Sequence, residues 1–539
     1  MPNTYDLIFK NATVIDGSGG LRRRASVAVS GGRIASIGQI PDQAAAAILD
    51  ISGKVLAPGF IDPHGHSDLT LLTEPSGMSK TMQGVTTEVF GNCGQAAAPV
   101  TELNRRETGL KRVLLSGGDD LSLTWSSMGE YTERLGAAGL GLNVLPLAGH
   151  SEIRSGAMGY EERAPSPDEL ERMRNLLREA LDAGALGMST GLIFPPSAYA
   201  DTDEIVELAK VLAEHGAMYF SHIRGEDDRL LTAIEEAIAI GERSGAPVQI
   251  AHFKAFQSPN WGSVRDGLRL VDDAVERGVN VAVDVYPYVA GMGTLTQPVP
   301  DWAQEGGKED MVKRMKDSAT RRRIESELRD ARWEWDRSII ARMVTRDEGG
   351  EFGMSIAEVA AERGVEPEAA AVDLLIREGG QVSIVCYGMD EADVRYTLQH
   401  PASMVCSDAL AVTPDHPLGS GLSHPRFYGT FPRVLGHYAR DEGLFSMEEA
   451  VHRMTGKTAD RLGLARKGKI ESGRDADLVV FDESEIIDRS TFEEPHRYPA
   501  GIEHVMVGGR FVVRNGQPTH QLPGQVLQRP KDIPTGRLT

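Results

Sequence analysis

Hydrophobic and polar positions are arranged in two different ways along the 539 residues. At the start, YDLIFKNATVID, ASVAVSGGRIASIG and AILDISGKVLA are short runs rich in β-branched residues, broken by Gly pairs and Gly-Lys. That is the pattern of strands joined by turns. The end of the chain returns to it with GRDADLVVFD and then GIEHVMVGGRFVVRNGQ. Two β-rich segments enclosing everything else predict a small β-sandwich built from both termini, residues 1–56 and 466–539. The last stretch, QVLQRPKDIPTGRLT, is polar and Pro-bearing and is expected to be extended.

The middle is different in kind. Apolar runs short enough for strands are VLAPGFID (55–62), VTTEVFG (85–91), LNVLPLAG (142–149), ALGMST (185–190), AMYFSH (217–222), PVQIAH (247–252), VNVAVDVY (279–286) and SMVCSD (403–408). Helical patterns such as SPDELERMRNLLREALDAG and TDEIVELAKVLAEHG separate most of them. This alternation predicts an α/β protein with parallel strands and crossover helices. Eight such units close a (β/α)8 barrel over 57–465, with active-site residues at the C-terminal ends of its strands. A ninth apolar run, VSIVCYG (382–388), exceeds the count. Residues of about 290–350 fit no β/α unit, and DMVKRMKDSATRRRIESELRDARWEWDR reads as helical. A long insertion after the seventh strand is expected there, either covering a site or forming a surface excursion.

Charge and cysteine content narrow the class. A formal net charge of −21 disfavours nucleic acid and anionic membrane surfaces as partners. The run Arg22, Arg23, Arg24 is short and reads as a solvated turn. No apolar run approaches bilayer length. The opening MPNTYDLIFKNATVIDGSGG lacks a basic n-region, an apolar core and a cleavage site. A cytoplasmic enzyme with no membrane partner is the expectation. Three cysteines, an odd and sparse set, make no disulfide framework. Cys386 and Cys406 lie in apolar strand-like runs and read as small buried hydrophobes.

Candidate chemistry begins at Asp62-Pro63-His64-Gly65-His66-Ser67-Asp68, directly after the first barrel strand. Side chains of an extended chain alternate, so His64 and His66 point the same way and can face one metal ion. Gly65 leaves room between them, and Asp62 or Asp68 can orient an imidazole. His222 and His252 end the fifth and sixth apolar runs. A core histidine is the ordinary reading of either one, but not of His at the catalytic ends of two successive strands; His is also the commonest zinc ligand. Asp408 ends the eighth run; a carboxylate there can bind metal, take a proton from water, or cap the following turn. Cys93, in FGNCGQAAAP after the second strand, reads equally as a thiolate ligand or as a small packed residue.

With these residues in view the chain resembles the amidohydrolase superfamily, and within it the N-acyl-D-amino-acid deacylases (D-aminoacylases). The stretches that carry the resemblance are APGFIDPHGHSD (57–68), GVTTEVFGNCG (84–94), GALGMSTGL (184–192), FSHIRGE (220–226), IAHFKA (250–255), DVYPY (284–288), CSD (406–408) and HPRFYGTFPRVLGHYAR (424–440). The likeness runs over nearly the whole chain. It implies a TIM-type barrel with a split β-sandwich. It also implies that Cys93, after the second strand, stands in for the carboxylated lysine that bridges two metals in relatives such as hydantoinases; the fourth strand, GALGMST, offers no lysine. By the same resemblance Cys93, His222 and His252 form a tight Zn2+ site. His64 and His66, with Asp408 nearby, form a second, weaker one, and Asp408 is the acid/base. The implied reaction is zinc-dependent hydrolysis of the amide bond of N-acyl-D-amino acids, giving a carboxylate and a free D-amino acid.

A small-molecule amide carrying an α-carboxylate calls for cations and donors. Lys254 lies two residues after His252, on the same side of an extended strand, and Arg426 follows the eighth strand. Tyr286 or Tyr288 can add a hydroxyl, and His150, in LAGHSEIR, is either a carbonyl contact or a structural histidine. Phe194 stands where the family commonly has tyrosine, which removes one expected donor. The alternatives are a cyclic-amide hydrolase of hydantoinase or dihydroorotase type, and a non-catalytic scaffold on the same fold. Cys93 counts against the first and the full ligand set against the second. No pattern along the chain sets the acyl or side-chain preference, the number of metals in use, or the oligomeric state.

Overall fold

A computed structural model describes residues 5–109, 122–345, 350–415 and 421–530. The fold is mixed α/β. Both termini enter one nine-stranded sheet, in the order Gln517–Pro518, Arg510–Arg514, Ile502–Val507, Leu478–Phe481, Val55–Pro58, Tyr5–Val14, Arg23–Ser30, Arg33–Gly38, with Ala45–Asp50 also on Tyr5–Val14. The join is antiparallel, Leu478 opposite Pro58 and Phe481 opposite Val55. Phe9, Val27, Val29, Leu56, Leu478, Val480 and Met506 form the apolar cluster of this sheet. The first long apolar run therefore divides: Val55–Pro58 joins the terminal sheet, and only Phe60–Asp62 pairs with the parallel strands.

Parallel strands make up the centre. Phe60–Asp62, Val85–Phe90 and Asn143–Pro146 pair in one sheet. Ala148–Gly149, Gly187–Gly191, Met218–His222, Val248–Ile250, Val281–Val285 and Ser403–Val405 pair in another. One residue separates the two sheets at Leu147. Their far edges meet just past the strand ends, where Asp408 N donates to His64 O (2.8 Å) and His66 N to Ala409 O (3.0 Å). These strands are buried along their whole length, which is why they read as continuous apolar runs rather than alternating ones. The crossover helices form as patterned. Pro167–Asp182 starts at a Ser166/Glu169 capping box, which satisfies two otherwise orphaned N–H groups. It buries Met173, Leu177 and Leu181, worth about 1.5–3 kcal/mol each.

The ninth apolar run belongs to the insertion. Val382–Cys386 pairs antiparallel with Gly291–Thr294 on one side and Ser338–Met343 on the other. Its apolar cluster runs from Leu295 to Cys386 and includes Met311, Ile324, Ile340, Leu375 and Ile384, well past the expected end near 350. The charged stretch forms two helices, Lys308–Lys316 and Ser318–Asp330. They divide at Asp317, whose extended backbone starts the second and whose carboxylate caps it by accepting from Thr320 N. Arg22 is no free turn residue; it is hydrogen-bonded to Glu448 and Glu483. The C-terminal stretch is extended where described, with Val526 bridging Val144, and its residues 531–539 lie outside the described ones. Among the described residues no helix is long and apolar enough to cross a membrane.

Candidate metal centre and its cavity

The side chains at the ends of the parallel strands converge. Ligand atoms of His64, Cys93, His252 and Asp408 all lie within 4.8 Å of one another, as do those of His222, Glu226 and His252. Cys93 Sγ is 3.4 Å from His64 Nε2 and 3.3 Å from His252 Nε2. Asp408 Oδ1 is 2.9 Å from His66 Nε2 and 3.4 Å from His64 Nε2. The backbone is bent to make this happen. Cys93, His252 and Asp408 have φ of 54°, 34° and 50°, in the left-handed region that costs a non-Gly residue and gathers at functional sites. Between the two histidines of the first strand end, a Cβ on Gly65 would fall 1.8 Å from Glu88 Oε1, so only glycine fits.

Neighbouring charges set the ionisation of these groups. Burial works to raise the Cys93 thiol, yet the His252 and His64 rings bring it well below its ordinary value. Burial likewise opposes ionisation of Asp408, but Arg426 and the His66 ring hold its carboxyl well below the usual range. Burial disfavours a charged His66, while Asp408 and Cys93 lift it to about 9. His222 is lowered, chiefly by burial.

A cation fits this donor set. His222 is buried, yet among the described residues neither of its ring nitrogens has a hydrogen-bond partner, an arrangement that is costly unless something accepts the lone pair. Tetrahedral zinc with sulfur and imidazole ligands places S and N about 3.6 Å apart, close to the Cys93–His64 and Cys93–His252 separations. Thiolate and imidazole donors suit zinc rather than magnesium.

Two carboxylates that sequence reasoning passed over stand beside the Nδ1 atoms of these imidazoles. Glu226 Oε1 is 3.0 Å from His252 Nδ1; a proton on Nδ1, donated to Glu226, leaves the Nε2 lone pair facing the cluster. Asp284 Oδ1 lies 3.3 Å from His64 Nδ1 and accepts from His252 N at 2.7 Å. Both sat in view: Glu226 is four residues past His222, and Asp284 interrupts an apolar strand. Asp62 and Asp68 do not orient imidazoles. Asp62 accepts from buried Lys80 Nζ (2.7 Å) and Ser407 N (3.0 Å). Asp68 accepts from Gly91 N, and burial lifts its carboxyl to about 7. Lys80 also reaches Glu88 (3.2 Å), which accepts from Ser67 Oγ (2.7 Å). This buried platform ties together the residues flanking His66 and Asp408.

The expected substrate residues divide. Arg426 Nη1 is 2.8 Å from Asp408 Oδ2, but not in hydrogen-bond geometry, so its Nε and Nη1 donors stay unsatisfied. Lys254 Nζ donates to Glu226 Oε1 (2.5 Å) and to the His252 carbonyl oxygen (3.1 Å), and lies 2.8 Å from His252 Nδ1. Tyr286 lies between the two cations, with Arg426 4.8 Å and Lys254 5.8 Å from its ring centroid. Tyr288 packs its ring on His424 and Arg433. His150 is not brought to the site. It is fully buried, with its ring nitrogens committed to Ser197 Oγ (2.8 Å) and Glu204 Oε1 (3.0 Å). Cys406 is a buried small residue as read, near Asp284. Cys386 is buried too, but lines the cavity.

A cavity of about 270 Å³ opens over the cluster, lined by His66, Asp408, Arg426, Phe194 and residues of the insertion, among them Met292, Thr294, Met311 and Arg342. It shares walls with a second space of about 170 Å³ that reaches Cys93, His222, His252, Lys254 and Tyr286. The insertion thus covers the site. Phe194 lies 5.1 Å from the His222 ring, centroid to centroid.

Residues 47–513 match the sequence profile of the amidohydrolase family. The chain is 39% identical over 529 residues to a D-aminoacylase of Alcaligenes xylosoxydans xylosoxydans, covering 97% of this chain and 98% of that one. It is 37% identical over 533 residues to an N-acyl-D-glutamate deacylase of the same organism, covering 99% and 98%. The crystal structure of the Bordetella bronchiseptica N-acyl-D-glutamate deacylase, complexed with zinc and a phosphonate that mimics the tetrahedral intermediate, superposes with a TM-score of 0.83. The identity is 35%, and the match covers 97% of this chain and 100% of that one.

Proposed function

Because this chain belongs to the amidohydrolase family, we propose that it hydrolyses the amide bond of N-acyl-D-amino acids, releasing a carboxylate and a free D-amino acid. The observation that carries the reading is the convergence of His64, Cys93, His252 and Asp408, beside His222, whose ring nitrogens make no hydrogen bond among the described residues, at the floor of the covered cavity. The activities of the two Alcaligenes relatives support the substrate class. The parallel strands, tied at both ends of their order, support a closed (β/α)8 barrel, with the terminal sheet as the shared β-domain.

Cys93, His222 and His252 hold a tight zinc ion in this reading; His64, His66 and Asp408 stand ready for a second. Zinc supplies Lewis acidity, polarising a carbonyl oxygen and acidifying water in contact with it. Asp408 accepts a proton from the attacking water and delivers it to the leaving nitrogen, which must be protonated to depart. Its pKa, held well below the usual carboxylate range by Arg426 and His66 against the effect of burial, keeps it a carboxylate at neutral pH. His66 fixes Oδ1, so the other oxygen faces Arg426 and the cavity. The unsatisfied Arg426 donors receive the α-carboxylate of the substrate, an interaction that is stronger than a neutral one. Lys254 holds Glu226 and His252 in place, with its ammonium at the edge of the same space. Phe194, Met292 and Met311 exclude water.

The test is hydrolysis of N-acetyl-D- against N-acetyl-L-amino acids by purified protein, with metal analysis. Turnover of D-substrates only, lost on chelation and restored by zinc, is expected. Turnover of L-substrates, or of cyclic amides alone, would overturn the assignment.

A further inference from the structure

Among the described residues, one guanidinium in the wall of the substrate cavity has no partner. Arg342 lies on the insertion strand Ser338–Met343 and lines the same space as Asp408 and Arg426. Among the described residues it makes no hydrogen bond, ion pair or ring contact. Burial draws its guanidinium down to about 10, and no described carboxylate is near enough to offset the loss of water. At neutral pH it remains a cation, held half-buried at a cost that only an anion would recover.

The sheet around it is built to present it. The register of Ser338–Met343 against Val382–Cys386 shifts between Ile340 and Arg342; such bulges re-aim side chains beside sites. Arg342 is opposite Ser383, and Ser383 is opposite Thr294 on the other neighbouring strand. Residues opposite one another share a face, and all three line the cavity. A cation and two hydroxyls in a row form a cradle for a carboxylate, which arginine takes bidentately. It is separate from Arg426, which comes from the helix Arg426–Arg433 beside Asp408. Met292 and Met311 line the same cavity and offer apolar cover to methylene groups.

We propose, on the reading of the site as an N-acyl-D-amino-acid hydrolase, that the Arg342–Ser383–Thr294 row binds a second carboxylate on the substrate, that of an acidic side chain. This chain then acts on N-acyl derivatives of acidic D-amino acids in preference to neutral ones.

The zinc-loaded protein and its Arg342→Met, Arg342→Lys and Ser383→Ala variants are assayed with four substrates: N-acetyl-D-glutamate, N-acetyl-D-glutamine, N-acetyl-D-leucine and N-succinyl-D-leucine. Arg342→Met should lower kcat/KM for N-acetyl-D-glutamate about 10- to 100-fold. The glutamine and leucine substrates should change by less than about threefold. Arg342→Lys should keep part of the activity, and Ser383→Ala should cost about 2- to 10-fold on glutamate alone. Urea midpoints and zinc content equal to the parent's verify that the variants are folded. A loss confined to N-succinyl-D-leucine would move the second carboxylate to the acyl group and overturn the side-chain assignment. Equal losses on all four substrates, or none, would also overturn it. If the parent cleaves the neutral D-substrates with no preference for glutamate, this inference alone fails. If it cleaves none of the four, the reading of the site fails with it.

Discussion

Replacing Lys254 by Met should cost the protein about 3 kcal/mol of stability, because its ammonium is committed to a buried carboxylate rather than left for the substrate. Nζ lies 2.5 Å from Glu226 Oε1, with side-chain exposures of 11% for Lys254 and 8% for Glu226. Breaking a buried pair by removing one partner costs about 3–5 kcal/mol, since the other charge is left uncompensated. A second route gives a similar size. Burial pushes the Glu226 carboxyl up, yet Lys254 first, then His222 and His252, bring it from 4.5 to about 2. That difference, about 3 kcal/mol favouring the ionised form in the fold, is the combined effect of the three groups against burial, with Lys254 the largest of them. The assay is urea unfolding at pH 7 of the chelator-treated protein, with Lys254→Met, Glu226→Gln and the double variant forming a cycle. The double variant should lose less than the sum of the two singles, by about 2 kcal/mol. In parallel, kcat/KM of the zinc-loaded proteins is measured for a free-acid substrate and its carboxamide. Both should fall together in Lys254→Met, because His252 loses its support. A variant within about 0.5 kcal/mol of the parent, with a loss confined to the free acid, would refute the reasoning and give the ammonium to the substrate carboxylate.

Asp408→Asn should lower turnover about 10²–10⁴-fold with the fold retained, measured as kcat beside zinc content; near-normal turnover would remove Asp408 from proton transfer. Cys93→Ala should lower zinc content and activity together, read by elemental analysis, whereas a variant keeping both would make the cysteine a packing residue. Because the Glu226 carboxyl is depressed, its contribution to stability is complete above about pH 4.5 and is lost as the pH falls through about 2. The stability gap between chelator-treated parent and Glu226→Gln should therefore close over that acid window, and a gap unchanged down to pH 2 would contradict the assignment.

The order of elements was legible because it rests on local signals. Buried parallel strands are apolar throughout, and crossover helices carry their own caps, as Ser166 and Glu169 do for Pro167–Asp182; both are written in short windows of sequence. The same holds for His64, His66, His222, His252 and Asp408, each at the end of an apolar run. What stayed hidden depends on contacts between distant residues. Nothing near VSIVCYG shows that it pairs antiparallel inside the insertion, since edge partners are chosen by the surrounding packing. Glu226 and Asp284 became orienting groups only when the sheet set neighbouring strands in register, with His252 N donating to Asp284. His150 reads in sequence equally as a carbonyl contact and as a structural histidine; the helix His150–Met158 carries its ring toward Ser197 and Glu204. Lys80 sits in an unremarkable stretch, yet its charge is buried among Asp62, Glu88 and Ser407. Sequence alone determined which elements form and which residue types end them, because propensity, periodicity and capping act within a few residues. Tertiary structure alone decided which charges neutralise one another and which, like Arg342, have no partner among the described residues, because burial and electrostatic pairing belong to side chains brought together from far along the chain.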